Sequence, residues 1–460
     1  MENDGIYPIE KLYKWLKIGM LTMITSTEET TIRLIDEYFK VRRDNLNLLI
    51  YPDKPAWVCF NDKEFEVYLE FLSQSLVYNR NELFSLCNQK NIISEVVEKI
   101  INNEFVQNPI PDDGEEHNYS HYAVHLIATH QCNMHCKHCY MGAGEKLLGE
   151  ISFEQLTNFF QILMDEVQQP LDILLSGGEI LTVRWLPDLL YWLEKKSCVA
   201  DIYTNGKLLT AEFLSDFRDV IGKIQLSCEG IKETTYEYIR GQGNYKHFLE
   251  SLKLLASKNI PTTLAYLIMP HNFEELKYDF VSFLEEYYFD NLSLKIDPDF
   301  DWEGRSIKEL DRSSGEKFYE HCIRDIVKQT HRVISWYSER FNRERLYSFK
   351  SGYKFSNCGI GLGLGIESKG EIYPCFWATG NYGNLKSIKR NELHNLLSFF
   401  RELHEKTSVE NIQYCSNCEL RFICTGGCKA KNHQGNGSYH KPHCSESVKD
   451  SIYYSLIYNL

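Results

Sequence analysis

Cys132, Cys136 and Cys139 stand in a C-x3-C-x2-C run within Thr129-His-Gln-Cys-Asn-Met-His-Cys-Lys-His-Cys-Tyr140. Three thiolates on one short loop can each bind a different iron of a cubane 4Fe-4S cluster. Such a cluster normally takes four cysteines, so three leave one iron open to a substrate or cofactor. A structural zinc loop is the alternative, and it would need a fourth ligand. His130, His135 and His138 lie close enough in sequence to supply one.

Seven more cysteines follow late in the chain. Cys358, Gly370 and Cys375 form C-x11-G-x4-C, and Cys415, Cys418, Cys424, Cys428 and Cys444 form C-x2-C-x5-C-x3-C-x15-C. C-x2-C pairs often hold zinc, but seven cysteines do not divide into tetrahedral zinc sites. The remaining cysteines, Cys59, Cys87, Cys198, Cys228 and Cys322, are scattered among apolar neighbours and read as small buried side chains. The opening Met-Glu-Asn-Asp-Gly is acidic and lacks the basic and apolar regions of a signal peptide. No apolar run reaches the length of a membrane span. Cysteines in that setting read as metal ligands in a reducing, cytoplasmic compartment. A net charge of -14 argues against a nucleic-acid surface, and no membrane partner is expected.

At 460 residues the chain is long enough for two or three domains. From Tyr122 to about Asp299, strand patterns at 123–129, 171–176, 199–204, 223–228, 262–268 and 292–297 alternate with helical ones, such as Phe153 to Val167 and Phe248 to Ser257. That alternation predicts βαβ units and a parallel sheet. In a parallel α/β barrel, reactive groups sit at the carboxyl ends of strands. Cys132 follows the first strand, Ser176-Gly177-Gly178-Glu179 the second and Thr204-Asn205-Gly206 the third, while Ser227 ends the fourth. Paired glycines let backbone approach a ligand closely.

In that order, these residues resemble radical S-adenosylmethionine (SAM) enzymes. The resemblance implies a partial (β/α)6 TIM barrel. It also implies a first cluster on Cys132, Cys136 and Cys139, and a SAM site built by His138, Ser176, Gly177, Gly178, Glu179, Thr204, Asn205, Ser227 and Arg240. Gly177, Gly178 and Glu179 would hold the methionyl amino group, Ser227 and Arg240 the ribose and carboxylate, with His138 beside the adenine. Ser227-Cys-Glu-Gly230 departs from the commoner Ser-Leu-Asp-Gly but keeps the acid and the glycine. The later cysteines resemble a SPASM domain with two auxiliary 4Fe-4S clusters, giving three clusters in all. Family topology puts Cys415, Cys418, Cys424 and Cys444 on the outer cluster and Cys358, Cys375 and Cys428 on the inner one. Gly359 to Gly365 has no further cysteine, so the inner cluster has an open iron or a non-cysteine ligand.

Residues 45–105 read as a hairpin, Asn45 to Tyr51 and Ala56 to Phe60 around Pro52-Asp53, followed by helices. Asn61 or Asp62 caps the first helix and the second runs near Ser94 to Ile101. This resembles the winged-helix-like RiPP recognition element, which captures a leader peptide as an added strand. No basic cluster favours DNA instead. We therefore expect a leader-binding domain at 1–110, a polar linker at Asn108–Asn118, a radical SAM core at 120–300, a connecting segment at 301–350 that covers the cavity, and a SPASM domain at 351–460. The whole resembles the subtilosin maturase (sactisynthase) group. That group implies an oxidoreductase that forms Cys sulfur-to-α-carbon thioethers in a precursor peptide, with flavodoxin or ferredoxin as electron donor and the auxiliary clusters as electron acceptors. A carbon–carbon crosslinking maturase, an anaerobic sulfatase-maturase-like oxidase and a non-enzymatic iron–sulfur or zinc module remain alternatives.

Overall fold

The computed structural model describes residues 31–79, 82–83, 93–107, 120–298, 302–342, 351 and 354–458. The chain divides into two compact units, Met1–Pro111 and Asp112–Leu460. The expected linker Asn108–Asn118 and Cys87 lie outside the described residues.

In the first unit, β1 (Thr31–Arg33) pairs with β5 (Val77–Asn79). A separate antiparallel sheet has the order β2 (Phe39–Arg43), β3 (Leu46–Tyr51), β4 (Ala56–Phe60). The β3–β4 hairpin matches expectation, and β2 adds a strand that the sequence reading did not contain. Arg43 pairs with Leu46, so Asp44-Asn45 is a two-residue turn. Both residues have positive φ (52° and 60°), the type I′ geometry whose twist suits a hairpin and which Asx residues tolerate. Helix α1 (Asp62–Gln74) opens with a capping box between Asn61 and Glu64. The Glu64 carboxylate also receives Lys99 Nζ at 2.8 Å from α2 (Ile93–Asn102). A buried acid thus fixes the two helices over a core that includes Tyr68, Phe71, Val96, Val97 and Ile100.

The second unit is built on an eight-stranded sheet. Six parallel strands run in chain order: β6 (Tyr122–Ile127), β7 (Leu171–Ser176), β8 (Val199–Thr204), β9 (Ile221–Cys228), β10 (Thr262–Leu267) and β11 (Leu292–Asp297). Helices α3 (Phe153–Val167), α4 (Leu186–Lys195), α5 (Ala211–Asp216), α6 (Glu233–Arg240), α7 (Asn244–Ser257), α8 (Phe273–Tyr278) and α9 (Phe280–Tyr287) fall between them. All six strand expectations land within a few residues. Alternation sets the faces: Ile224, Leu226 and Cys228 join the helix-covered core, while Gln225 and Ser227 face a cavity. Register carries that face across the sheet, Ser227 opposite Ala265 and Ala265 opposite Lys295.

Two features lie beyond the expectation. The connecting segment is largely one helix, α10 (Arg312–Phe341), with the described residues stopping at 342. It packs on α8 and α9 and against the final helix, Glu446–Tyr458. Tyr319 and Tyr337 tie it to the barrel through hydroxyl bonds of 2.6 Å to the Ile268 and Leu292 carbonyls. Further on, β12 (Leu364–Ile366) joins the sheet parallel to β6, and β13 (Ile372–Tyr373) pairs with it antiparallel. The cysteine-rich region thereby begins as part of the barrel's own sheet. Of the scattered cysteines, Cys59, Cys198 and Cys228 are buried as expected, and Cys322 is half-buried.

Candidate functional site

The loop after β6 is held from several sides. Gly178 N donates to Thr129 O and Glu179 N to Gln131 O, each at 2.8 Å. A Cβ on Gly177 would sit 2.7 Å from Thr129 O, and one on Gly178 only 2.5 Å from Gln131 O. The glycine pair therefore admits the cysteine loop's own backbone, a closer constraint than the ligand approach expected of it. Glu150 accepts from Thr129 Oγ1 at 2.7 Å and from the His130 and Leu147 amides at 2.8 and 3.0 Å. From the segment before α10, Arg305 N donates to Cys139 O at 2.9 Å, Nη1 to Cys136 O at 2.9 Å, and Nη2 to Ala143 O. Gly304 (φ 59°) makes room, since a Cβ there would meet Tyr140 O at 2.1 Å. The connecting segment thus clamps the cysteine loop, a role invisible in its sequence.

This loop borders a cavity of about 430 Å³, whose lining includes all three cysteines and every expected SAM-site residue: His138, Ser176, Gly177, Gly178, Glu179, Thr204, Asn205, Ser227 and Arg240. Burial raises the thiols of Cys132 and Cys136, the latter to about 11. Free thiols here would stay protonated, and a metal would have to draw off their protons. The Ala143 amide lies 3.3 Å from Cys139 Sγ.

Three carboxylates differ in their partners. Buried Glu179 accepts from Thr204 Oγ1 (2.7 Å), Asn205 N (2.9 Å) and Leu181 N (3.1 Å). Burial still raises its pKa against these donors and Arg240. Glu229 is buried too, which by itself would raise its pKa, but Arg240 and then His138 pull it well below the ordinary carboxylate range. Arg240 grips Glu229 through Nε and, at 2.6 Å, through Nη2. The arginine expected to meet a ligand carboxylate thus already pairs with an internal one. Asp297 faces Lys295 at 3.5 Å on the β11 rim.

The cavity also holds residues that sequence reading passed over: His125, Tyr203, Gln225, Lys295, Asp297, Phe376 and Trp377. Polar residues alternating within apolar strands were the available signal for Gln225, Lys295 and Asp297. His125 stacks on Phe376 with centroids 3.7 Å apart and bonds Ser176 Oγ at 2.8 Å. Burial lowers its pKa to about 3, so the ring is neutral.

Phe376 and Trp377 follow Cys375 directly, which brings that cysteine up to the cavity, though none of the later cysteines lines it. Those cysteines fall into two neighbourhoods. The Cys375 thiol, raised to about 11 by burial, has Cys428 and Cys358 as electrostatic neighbours. Cys415, likewise raised to about 11 by burial, has Cys424, Cys418 and Cys444. The Leu420 amide lies 3.5 Å from Cys418 Sγ. Among the described residues no three His, Cys, Asp or Glu side chains close on one point as a single ion requires. A cubane asks something different, because each thiolate meets its own iron. The donor sets of three, three and four thiols suit that demand.

The cavity also suits a polar, zwitterionic ligand. Among the described residues the cavity-lining His138 has a buried Nδ1 without a partner, and Glu179 forms no ion pair. A buried polar atom left unpaired is costly, so the His138 nitrogen fits a ligand that bonds it.

The Radical SAM superfamily model matches residues 126–280. The chain is 25% identical over 336 residues to the antilisterial bacteriocin subtilosin biosynthesis protein AlbA of Bacillus subtilis (strain 168), covering 70% of each chain. It is 22% identical over 439 residues to the radical SAM cyclopropyl synthase TigE of Paramaledivibacter caminithermalis, covering 86% of this chain and 89% of that one. Its fold is similar to that of Streptococcus suis SuiB bound to precursor peptide SuiA, with a TM-score of 0.53 and 14% identity over 90% of this chain and 99% of SuiB. That share is too large for the second unit alone. Among the described residues no helix is long and apolar enough to cross a membrane.

Proposed function

From the radical SAM domain at residues 126–280, we propose that this protein is a peptide maturase that closes Cys sulfur-to-α-carbon thioethers in a ribosomally made precursor. The observation that carries this reading is the cavity shared by the Cys132–Cys139 loop and buried Glu179, which forms no ion pair among the described residues. Cys132, Cys136 and Cys139 would hold the first cluster. Glu179 would take the SAM ammonium, supplying the cation it lacks. His138 would meet the ligand with its unpaired nitrogen, and Ser227, also lining the cavity, its ribose. Cys358, Cys375 and Cys428 would hold the inner auxiliary cluster, and Cys415, Cys418, Cys424 and Cys444 the outer. When bound, SAM and the clusters supply a 5′-deoxyadenosyl radical and a sink for the electron released, while the protein positions and shields. His125, Phe376 and Trp377 wall the cavity against water. Lys295 and Asp297 offer polar anchors for the substrate backbone.

The outer strands β2 and β4 of the first unit have no second strand neighbour among the described residues. A leader peptide would add there through main-chain bonds. We place the enzyme in the cytoplasm, where the described cysteines, all free, stay reduced and flavodoxin or ferredoxin is at hand.

The test is mass spectrometry of a short Cys-bearing peptide encoded beside the gene, after anaerobic turnover and thiol alkylation. A thioether product is lighter by a pair of hydrogens per crosslink and has lost one alkylatable thiol. Replacing Cys132, Cys136 and Cys139 by Ala should remove about four irons and all 5′-deoxyadenosine. Retained SAM cleavage in that variant would overturn the cluster assignment. The similarity to a cyclopropyl synthase over 86% of this chain favours carbon–carbon bond formation as the second reading. A lighter product whose cysteines all alkylate would establish it. Deleting residues 1–110 should abolish peptide processing and spare SAM cleavage. Full processing without them would point to a sulfatase-maturase-like oxidase.

A further inference from the structure

Lys429 has no exposed surface. It follows Cys428 directly and opens the helix Lys429–Asn436. Its Nζ donates to the Thr425 carbonyl. It lies 2.7 Å from the point a Gly426 Cβ would occupy, and Cys415 Sγ is 3.6 Å from the same point. Its electrostatic neighbours are Cys358 and Cys428 from one cysteine set, and Cys415 and Cys424 from the other. A lysine is almost never fully buried unless paired, and an unpaired buried ammonium is costly. Here, among the described residues, the one hydrogen-bond partner is a neutral carbonyl and no carboxylate forms an ion pair with Nζ. The thiolate-bearing sites on either side are what can balance the charge.

We propose that Lys429 is a fixed cation shared by the two auxiliary cluster sites, positioned to raise the reduction potential of both. The inference rests on the two-auxiliary-cluster reading above. Reduction adds one negative charge to a cluster, and a buried cation stabilises that added charge strongly because little water screens it. Net charge and hydrogen bonding near the sulfurs are established levers on cluster potential. Lys429 is therefore a positioning residue that makes the inner cluster, beside the cavity wall at Phe376, a readier electron acceptor. Gly426 keeps the ammonium close, since a side chain at that position would collide with it.

The experiment is an EPR-monitored redox titration of the full-length reconstituted protein carrying Cys132→Ala, Cys136→Ala and Cys139→Ala, so that only auxiliary clusters report. Lys429→Gln should lower the reduction equilibrium constant of both clusters at least tenfold, about 59 mV for one electron, and Lys429→Arg should hold both near the parent. Lys429→Gln with full auxiliary iron and unmoved potentials would overturn the proposal. If Lys429→Gln loses auxiliary iron while Lys429→Arg keeps it, the titration of Lys429→Arg decides: potentials near the parent's support the proposal and lowered ones overturn it. Equal iron loss in both variants makes the side chain a packing element and overturns it. A Lys429 parent with no auxiliary iron refutes the two-cluster reading itself, a result separable from the others before any lysine variant is made.

Discussion

The loop bearing Cys132, Cys136 and Cys139 and the turns bearing Cys415, Cys418, Cys424 and Cys444 offer the same donor atoms on different supports. The first is tied by residues remote in sequence: Glu150, Gly178, Glu179, Ile239 and Arg305 all bond its backbone. The second rests mostly on short local bonds, such as Cys418 N to Cys415 O, with Lys449 and Tyr453 bonding Glu419 and Val409 N bonding Ser356 O from farther off, and on a small core of Val409, Ile412, Cys415 and Phe422. A barrel preforms the first site with one face open to the cavity. The second has the smaller apolar core, and on the two-auxiliary-cluster proposal bound metal would contribute to its folding. One site is a preformed receptor for a reacting cofactor. The other, on that proposal, would be a fold that its clusters complete.

Removing iron should separate the two most strongly. Chelation should speed amide exchange across residues 409–445 by about a thousandfold while the strands from β6 to β11 stay protected. Equal loss in both regions would erase the distinction. On the barrel side, Arg305→Met removes charged donors from the Cys136 and Ala143 carbonyls, at about 2–3 kcal/mol. It should weaken SAM binding, read by calorimetry, without altering exchange in residues 409–445. Gly178→Ala forces a Cβ to 2.5 Å from Gln131 O and should cost about 2 kcal/mol of stability by overpacking, read as a lowered urea midpoint. Gly437→Ala, with nothing within 4 Å of the added Cβ, should cost less, limited to its positive φ. The effect of His125 is read through pH. Its pKa falls from 6.5 to about 3 on folding, so the unfolded chain binds the extra proton between those values. Its contribution is present above about pH 6.5 and is lost as pH falls, by at most about 1.4 kcal/mol per unit. Urea midpoints at about pH 5 and about pH 7 should converge in His125→Gln relative to the parent, and an unchanged gap would place His125 in water.

The six parallel strands were legible because each is short, apolar and followed by its helix. The residues after them were legible because their types recur in order. Long-range partnership was not. Nothing near Arg305 in sequence announces that its guanidinium caps Cys136, and Glu229 gives no local hint that it occupies Arg240. α10 escaped because only a few of its residues, such as Ile326, Val333 and Tyr337, are buried in the core, while others that pack on it, such as Phe318 and Trp336, are only partly buried among charges. β12 escaped because Gly363 and Gly365 dilute its strand pattern. Their lack of side chains is what lets Ala123 and Cys375 backbone approach within 2.7 and 2.8 Å of the Cβ positions.

The pairing of β12 with β6 has a consequence for any attempt to divide the chain. Leu364, Gly365 and Ile366 cover the flank of β6 at Val124, His125 and Leu126. A chain cut before Leu364 would bare a row of unpaired amides and carbonyls beside apolar side chains. Such a flank recruits strands from other molecules. The truncated barrel should precipitate even with its own cysteine loop intact, its failure one of colloidal behaviour and not of chemistry.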